Sequence, residues 1–552
     1  MKKNRTLKII LSFFLILVVI FLAFASFLSS SWLNNKLRLR IEKEFSEQSH
    51  GNYELSIDKL KINILTMSVR LNGISIDPVK IAKGKPEYRV SGKQLALNGV
   101  GLVRFLLQRD LKITTVKLDE PTVNLIRGVE KYNAKKDTTG RFSLYGFIST
   151  FAKSVTFKEL SVENFDLTLY NDQQDNSPSL KSNNNSFVIK NFHIGPSTLK
   201  LPGYFEADTV ALSIKHFRYT RPDSLYTLSI EQLNASFIDS VLLIDSITLM
   251  PNFNKKSFDN VVGKQTDRFD IHADKLKLIK IDLRNFLENH NLIAKSGDLK
   301  GFSLKAYRDK NNVYKPKHPP SLQKLLRDAP FYIKIDTLNL TDAYASYEEV
   351  AKGNNLPGRI YFNNINGKFT GITNDSLLIS TGAILKLTTN SKLLNEGKLF
   401  ASYSMPLNTE SIDFNCAGLL TGFSMATLNG VLEPLAGIKV MSGFVDTLDF
   451  AFQAGENSSN GNCMFLYHDL KLNVSDKGPG EVNVSDRLKM FLANNFILQK
   501  ENPKKGKPPE KAKLHFIRDK EKFMFNYSWK TIRSGIIETI GLPDSKLKKD
   551  VK

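Results

Sequence analysis

Cysteine is nearly absent from this sequence: two residues in 552, Cys416 and Cys463. That excludes a disulfide-built scaffold and any zinc site made of several thiolates. Histidine is scarce as well. The eight residues (His50, His193, His216, His272, His290, His318, His468 and His515) include no two at metal-ligand spacing, so each reads as a surface or pocket residue. No Gly-x-x-x-x-Gly-Lys-Ser/Thr loop, Gly-x-Ser-x-Gly elbow or His-Glu-x-x-His helix occurs, and Gly99-Val-Gly101 lacks the third glycine of a dinucleotide fingerprint. With these signatures missing, the expectation is a protein that is not an enzyme, with no catalytic residues, cofactor or metal. Proline (20) and glycine (32) are too few for collagen-like or low-complexity sequence, and 41% hydrophobic residues are too many for a mainly disordered chain.

What is present begins with one long apolar run. Lys2, Lys3, Arg5 and Lys8 precede Ile9 to Leu28, a stretch broken only by Ser12 and Ser26. Twenty residues at 1.5 Å each span about 30 Å, the hydrocarbon thickness of a bilayer. Trp32 follows at the level where an indole prefers the interface, and the basic start favours a cytoplasmic amino terminus. A cleaved signal peptide is the competing reading, because Ala23-Phe24-Ala25 fits a small-x-small cleavage site. Either way the rest of the chain is exported. Beyond Trp32, Leu33, Leu37, Ile41 and Phe45 recur every four residues, a helical stripe suited either to the membrane surface or to packing on the first strands.

From Tyr53 the period changes to two. Leu55 and Ile57, then Leu60 and Ile62, then Val69 and Leu71 alternate with polar residues, which places apolar side chains on one face of a sheet. Asn72-Gly73 reads as a tight turn. The same texture returns through the chain, including Phe165-Leu167-Leu169, Leu276-Leu278, Leu338-Leu340, Leu470-Leu472 and Phe523-Phe525, and extrapolates to about 30 strands. A finer motif has two alternating apolar positions, a two-residue gap, then two more. It fits Val69-Leu71/Ile74-Ile76, Val116-Leu118/Pro121-Val123, Leu160-Val162/Phe165-Leu167 and Leu276-Leu278/Ile281-Leu283. The gap changes parity, so a turn or bulge must lie there if both halves face one way. At this apolar content the match arises by chance at about 3% of positions, too often to establish repeats.

Helices are few and short: Val103 to Gln108, Leu144 to Phe151, Ser321 to Arg327, Arg487 to Phe496 and Trp529 to Ile540. In the last, Trp529, Ile532, Ile536, Ile537 and Ile540 share a face. Asn133 to Gly140, Asn171 to Asn185 and Lys504 to Lys513 read as polar loops. A one-sided apolar sheet with so few helices leaves more greasy surface than the few hundred Å² a soluble protein exposes. It must close into barrels or sandwiches, curl into a trough, or hold lipid. Periodicity alone leaves these three open.

Several stretches in order resemble the AsmA-like superfamily of envelope proteins, especially members carrying the domain of unknown function numbered 748. They are Tyr53-Glu-Leu-Ser-Ile-Asp-Lys-Leu60, Val69-Arg-Leu-Asn-Gly-Ile-Ser-Ile-Asp-Pro78, Leu111 to Leu125 with its Glu120-Pro121 corner, Ala329 to Leu340 leading into Tyr344-Ala-Ser-Tyr-Glu-Glu349, Gly358 to Ile365, Leu432-Glu-Pro-Leu435, and Tyr467-His-Asp-Leu-Lys-Leu472. Residues 175–320 carry the least resemblance. The resemblance implies an inner-membrane protein of a two-membrane bacterium, single-pass, with its bulk in the periplasm. It further implies an elongated groove that carries phospholipid toward the outer membrane, or a role in outer-membrane assembly.

The expected organisation is therefore a basic tail (1–8), an anchor (9–28, with Ile9, Leu28 and Trp32 marking it), a linking amphipathic helix (29–48), a β-groove region (49–320) and a 748-type β-rich region (321–552). The expected fold is mostly β with few short helices, a transmembrane helix leading into a largely antiparallel, curled, groove-like sheet. Leu55, Ile57, Leu60, Ile62, Val69 and Leu71 are the candidate groove lining. The expected partners are phospholipid and the inner membrane; an assembly factor binding outer-membrane proteins through exposed strand edges is the alternative. The net charge of +22 would suit nucleic acid, but export and the even spread of lysine point to phospholipid headgroups instead.

Overall fold

A computed structural model of the chain describes residues 30–79, 87–127, 144–171, 177–200, 206–408, 412–474 and 498–541. The expected anchor from Ile9 to Leu28, the loop Asn133 to Gly140 and the helix Arg487 to Phe496 lie outside the described residues. Among those described, no helix is long and apolar enough to cross a membrane. The chain is mostly β and forms two compact units, Met1–Pro222 with Ser229–Ser240, and Asp223–Leu228 with Val241–Lys552. The expected boundary at 320–321 falls inside the second unit.

In the first unit, β1 (Tyr53–Asn63), β2 (Ser68–Pro78) and β3 (Glu87–Asn98) form an antiparallel meander. β3 then pairs with both β4 (Asp110–Asp119) and β5 (Thr122–Ile126), two halves of one strand interrupted at Glu120-Pro121. Both halves run parallel to β6 (Ser154–Tyr170), which pairs antiparallel with β7 (Leu180–Ile194), and β7 with β8 (Thr209–Thr220). β9 (Tyr226–Ser236) straddles the boundary between the units.

The second unit repeats this plan. β10 (Val241–Pro251) pairs with β11 (Arg268–Ile279), which pairs with both β12 (Leu292–Lys300) and β13 (Ser303–Asp309). Those two halves run parallel to β14 (Ile333–Val350), which pairs antiparallel with β15 (Pro357–Thr373). An antiparallel meander completes it: β16 (Ile384–Leu393), β17 (Gly397–Pro406), β18 (Phe414–Ser424), β19 (Ile438–Ala454), β20 (Ser458–Val474) and β21 (Lys511–Ile517).

The parallel between the units extends to backbone detail. A short helix follows β3 (Leu102–Gln108) and β11 (Leu283–Asn289); another precedes β6 (Leu144–Phe151) and β14 (Leu322–Arg327). Positive φ recurs at matching places roughly 180 residues apart: Gly99 and Lys280, Arg109 and His290, Glu120 and Gly301, Asn164 and Asp342, Asn184 and Asn364. The β6–β7 register shifts on either side of Phe165, the β14–β15 register on either side of Ala343. This is an internal duplication of a supersecondary unit, hidden in sequence because backbone conformation, not side-chain identity, is what repeats.

These positive-φ residues also explain the two-residue gap. Asn72-Gly73 is not a turn. It lies inside β2, where Gly73 (φ 57) faces Asp58 and the ladder skips one pair without changing register. Both strands therefore swap faces together, and Ile57 and Leu60, like Leu71 and Ile74, meet in one apolar cluster. Gly73 has no room for a Cβ, because the Asp58 carboxylate occupies that space. Glu120 (φ 50) and Asn164 (φ 54) fill the gaps at Val116-Leu118/Pro121-Val123 and Leu160-Val162/Phe165-Leu167. Only Leu276-Leu278/Ile281-Leu283 differs: its gap ends β11, and Leu283 opens a helix. Strands that kink and continue are longer than strands that turn, so 21 strands occur among the described residues rather than about 30.

Two further expectations are corrected. The Asn171 to Asn185 stretch is strand from Leu180, because polar side chains there replace ladder bonds at the kink. Asn185 is fully buried, donates from Nδ2 to Phe165 O (2.9 Å) and accepts from Lys215 N (2.9 Å) and Ser182 Oγ (2.7 Å). Phe523-Phe525 is not strand: Phe523 is the extended cap of a helix, Met524–Thr539. That helix buries a small and polar face, Ser528, Thr531, Ser534 and Gly535, with Tyr527 and Ile537, whereas Trp529 is 46% exposed. Gly535 lies so close to Cys463 and Leu514 that a Cβ there would collide with both. The helix also meets Tyr403 of β17 through Phe525 and Phe414 of β18 through Tyr527. Four strand spacings from β17 to β21 cover about 19 Å, wider than a helix, so this part of the sheet curls around it. The core of the second unit lies in that curl.

Candidate functional site

The six residues expected to line a groove come together. Leu55, Ile57, Leu60, Ile62, Val69 and Leu71 belong to one cluster on one face of β1 and β2. They are roofed by protein, because Leu37 and Ile41 of the Ser31–Gln48 helix pack against them and Ile57 is fully buried. The amphipathic helix thus packs on the first strands. It also caps the outer edge of β1: Arg38 Nη1 donates to Ile57 O (2.9 Å), and Glu42 Oε1 accepts from Ile57 N (2.9 Å). Arg38 and Glu42 are themselves paired at 3.3 Å. Farther along, the Leu144–Phe151 helix covers β4, β6 and β7 through Tyr145 and Ile148, and Phe147 meets Phe45 edge-on at 6.1 Å. Trp32 is 64% exposed, with Lys36 Nζ 5.0 Å above its ring.

A second apolar face has no such roof. In β10, Leu242, Ile244, Ile247 and Leu249 follow the gapped pattern across Ser246 (φ 51). Their register places them beside Leu278, Leu276, Ala273 and Ile271 of β11. Leu276 continues to Leu299, and Ile271 to Leu304. Leu299 then continues to Leu340 of β14. Leu242, Ile244, Ile247, Leu249, Ile271, Leu276, Leu299, Leu304 and Leu340 are each only half-buried, and Phe269 on the same row is 37% exposed. Among the described residues of this unit, no helix packs extensively against β10 or β11. The reverse face carries Asp245, Lys275, Lys277 and His272, with Lys275 and Asp245 paired at 3.2 Å. One side of these strands is apolar throughout and mostly half-buried; the other mixes these charges with Val241, Leu243 and Ile279.

The unroofed face ends in charge. Arg308 follows Leu304 and Ala306 on the same side of β13, and Asp267 precedes Phe269 and Ile271 beside β11. Arg308, 6% exposed, grips Asp267 with two bonds, Nε to Oδ1 at 2.6 Å and Nη2 to Oδ2 at 2.5 Å; Lys317 Nζ adds a third at 3.0 Å. Burial pushes the Asp267 carboxyl up, but Arg308 and Lys317 outweigh it and hold it below the usual carboxylate range. On β14, Tyr347 donates to Glu349 (2.7 Å), and Lys310 Nζ sits 2.6 Å from Glu349. In the first unit Leu169 and Asn171 stand at the places of Tyr347 and Glu349, while Arg127 stands at the place of Arg308, so the acid rather than the arginine departs from the repeat.

Elsewhere the chemistry is sparse. A cavity of about 240 Å³ on the reverse face is lined by Lys255, Arg268, Asp270, Lys305, Tyr307 and Glu348, among others, and Lys255 holds Glu348 through both oxygens (2.8 and 2.9 Å). His216, His272 and His468 each pair with one carboxylate, Glu231, Asp274 and Asp446, at 2.9, 2.9 and 3.0 Å. No group of three metal-capable side chains occurs among the described residues. Cys416 and Cys463 are buried and free, and burial pushes their thiols up to about 12 and about 11, so they are inert. Comparison with known proteins finds no matching family model and no matching curated protein.

Proposed function

We propose that this protein is a non-enzymatic carrier that takes phospholipid acyl chains on the half-buried apolar face of β10 to β14. In this reading residues 9–28 anchor it in the inner membrane of a two-membrane bacterium, and its AsmA-like body works in the periplasm, passing lipid toward the outer membrane. The observation that carries the reading is the contrast in cover. One helix packs over β1 and β2 and buries Ile57, Leu60 and Leu71, leaving Leu55, Ile62 and Val69 half-buried; on β10 to β14 Leu278 and Ala273 are buried, yet ten apolar side chains stay half-buried or exposed. An acyl chain of about 16 methylenes gains on the order of 10 kcal/mol on leaving water, about what a bilayer offers it. Exchange between membrane and groove is then nearly level in energy and needs no tight site. The edge-binding alternative has less support, since Arg38 and Glu42 already occupy the outer edge of β1 at Ile57.

The test is a photocrosslinking amino acid placed at Ile244 or at Ile57 in the full chain in its native membrane. Lipid adducts at Ile244 and none at Ile57 are expected; adducts to polypeptide alone at Ile244 would overturn the reading in favour of assembly.

A further inference from the structure

The charged end of the unroofed face holds more cation than its ion pairs use. Asp267 is satisfied by Arg308 and Lys317, and Glu349 by Lys310 and Tyr347. Two more lysines reach the same place from the end of the chain. Lys522 lies over the Tyr314 ring, 5.2 Å from its centroid, and Lys530 projects from the Met524–Thr539 helix. Neither has a carboxylate within ion-pair distance among the described residues. Lys530 is half-buried and faces Arg533 and Lys310, with Glu349 and Asp519 as its acidic neighbours; Lys522 faces Arg308 and Lys310, with Asp519 and Glu521. Glu521 is itself engaged by the Tyr314 hydroxyl. Burial and this crowding of like charge push Lys530 down to about 8 and lower Lys522 as well. Partly desolvated ammonium groups held beside guanidinium groups are costly unless an anion joins them.

We propose that Lys530, Lys522 and their cationic neighbours form a headgroup site, which holds the phosphate of a lipid whose acyl chain lies along Leu304, Ile271 and Leu249. Alternation along β13 puts Ala306 and Leu304 on the side of the sheet where Arg308 ends the row, so an amphiphile can satisfy both features at once. Phosphate offers several acceptor oxygens to donors of both kinds. The proposal rests on the groove reading of the preceding section and adds orientation to it: head at the Arg308 end, tail toward β10.

The full chain, purified in detergent, is mixed with phosphatidylglycerol or with diacylglycerol, and lipid retained after gel filtration is measured by mass spectrometry. Lys522→Gln with Lys530→Gln is expected to lower retained phosphatidylglycerol about tenfold, one decade of affinity, and to leave diacylglycerol unchanged. The thermal unfolding midpoint should not fall, because neither lysine has an ion-pair partner among the described residues and both charges are partly desolvated beside like charge. A variant that keeps wild-type retention of phosphatidylglycerol would overturn the headgroup site while leaving the groove intact. Retention of neither lipid by the wild-type chain would overturn the groove reading itself. Inorganic phosphate is the third probe: displacement of phosphatidylglycerol by an equimolar amount would assign the site to a soluble anion instead.

Discussion

The first strands and β10–β13 are built to one pattern and finished differently. In both, apolar residues recur at i, i+2, i+5 and i+7, and a kink between the halves keeps them on one face: Leu55, Ile57, Leu60 and Ile62 across Asp58, and Leu242, Ile244, Ile247 and Leu249 across Ser246. Over β1 a helix closes the face, and Ile57 loses all contact with water. Over β10 no helix among the described residues of its unit packs extensively. The same alternation therefore makes a core in one place and a surface in the other, and what decides is the element laid across it.

That difference is sharpest under a charge. Ile57→Asp buries a carboxylate beneath Leu37 and Ile41 and is expected to cost more than about 4 kcal/mol, enough to unfold the first strands. Ile244→Asp puts the same carboxylate on a half-open face, where it stays hydrated; the thermal midpoint should move by no more than a few degrees while co-purifying lipid is lost. Circular-dichroism melting with lipid extraction on both variants separates the outcomes. Equal destabilisation would mean that β10 is core after all.

Smaller effects test what seals the first region. Glu42→Ala removes the acceptor of the Ile57 N–H and the carboxylate paired with Arg38, an expected cost of about 1–3 kcal/mol in urea unfolding. The corresponding change at Arg38 should couple to it in a double-mutant cycle, because both side chains serve one backbone residue. Gly73→Val forces a β-branched residue into positive φ against the Asp58 carboxylate, at about 1–3 kcal/mol. Asp58→Gly in the same chain should recover the part due to collision but not the part due to φ.

Much of this was legible. Period two along Leu55 to Leu71 gave the faces, and the helices at Leu144–Phe151 and Leu322–Arg327 stand within the stretches Leu144 to Phe151 and Ser321 to Arg327 expected to be helical. Asn72-Gly73 misled because that dipeptide favours positive φ equally in a hairpin turn and in a mid-strand kink, and only pairing across the sheet tells them apart. Asn171 to Asn185 reads as a loop because its polar side chains favour turns, whereas Asn185 completes a ladder from inside. The duplication is hidden in sequence because φ repeats where letters do not: Glu120 answers to Gly301, Gly99 to Lys280. Cover could not be read at all. Alternation says which side a residue faces, and nothing in β1 or β10 says whether a distant helix will lie there. The candidate groove residues were accordingly the right kind of residue on the roofed face, while the unroofed face lies in the stretch with the least family resemblance. The charged end needed the fold entirely, since Asp267, Arg308, Glu349 and Lys530 are far apart in sequence.

The finest distinction between the two faces is electrostatic, and pH reads it. The roofed face ends in a matched pair, Arg38 with Glu42; the unroofed one ends at Lys530, which burial, Arg533 and Lys310 push down to about 8 against an ordinary 10.5, with Glu349 offsetting only part. Below pH 8 this lysine is protonated in both folded and unfolded chains, and the folded state carries the full penalty. Between 8 and 10.5 the unfolded chain holds the proton more tightly, so stability attributable to Lys530 rises with pH and levels off above 10.5. Removing the charge abolishes that slope. Lys530→Met should therefore melt about 2–4 °C above wild type near pH 7 and converge with it toward pH 10, the reverse of what losing a favourable ion pair would give. A bound phosphate supplies the missing anion and should flatten the wild-type slope in the same way, so the pH dependence of melting with and without phosphatidylglycerol distinguishes an empty cationic site from a filled one. A slope unchanged by lipid would place the headgroup elsewhere on the unroofed face.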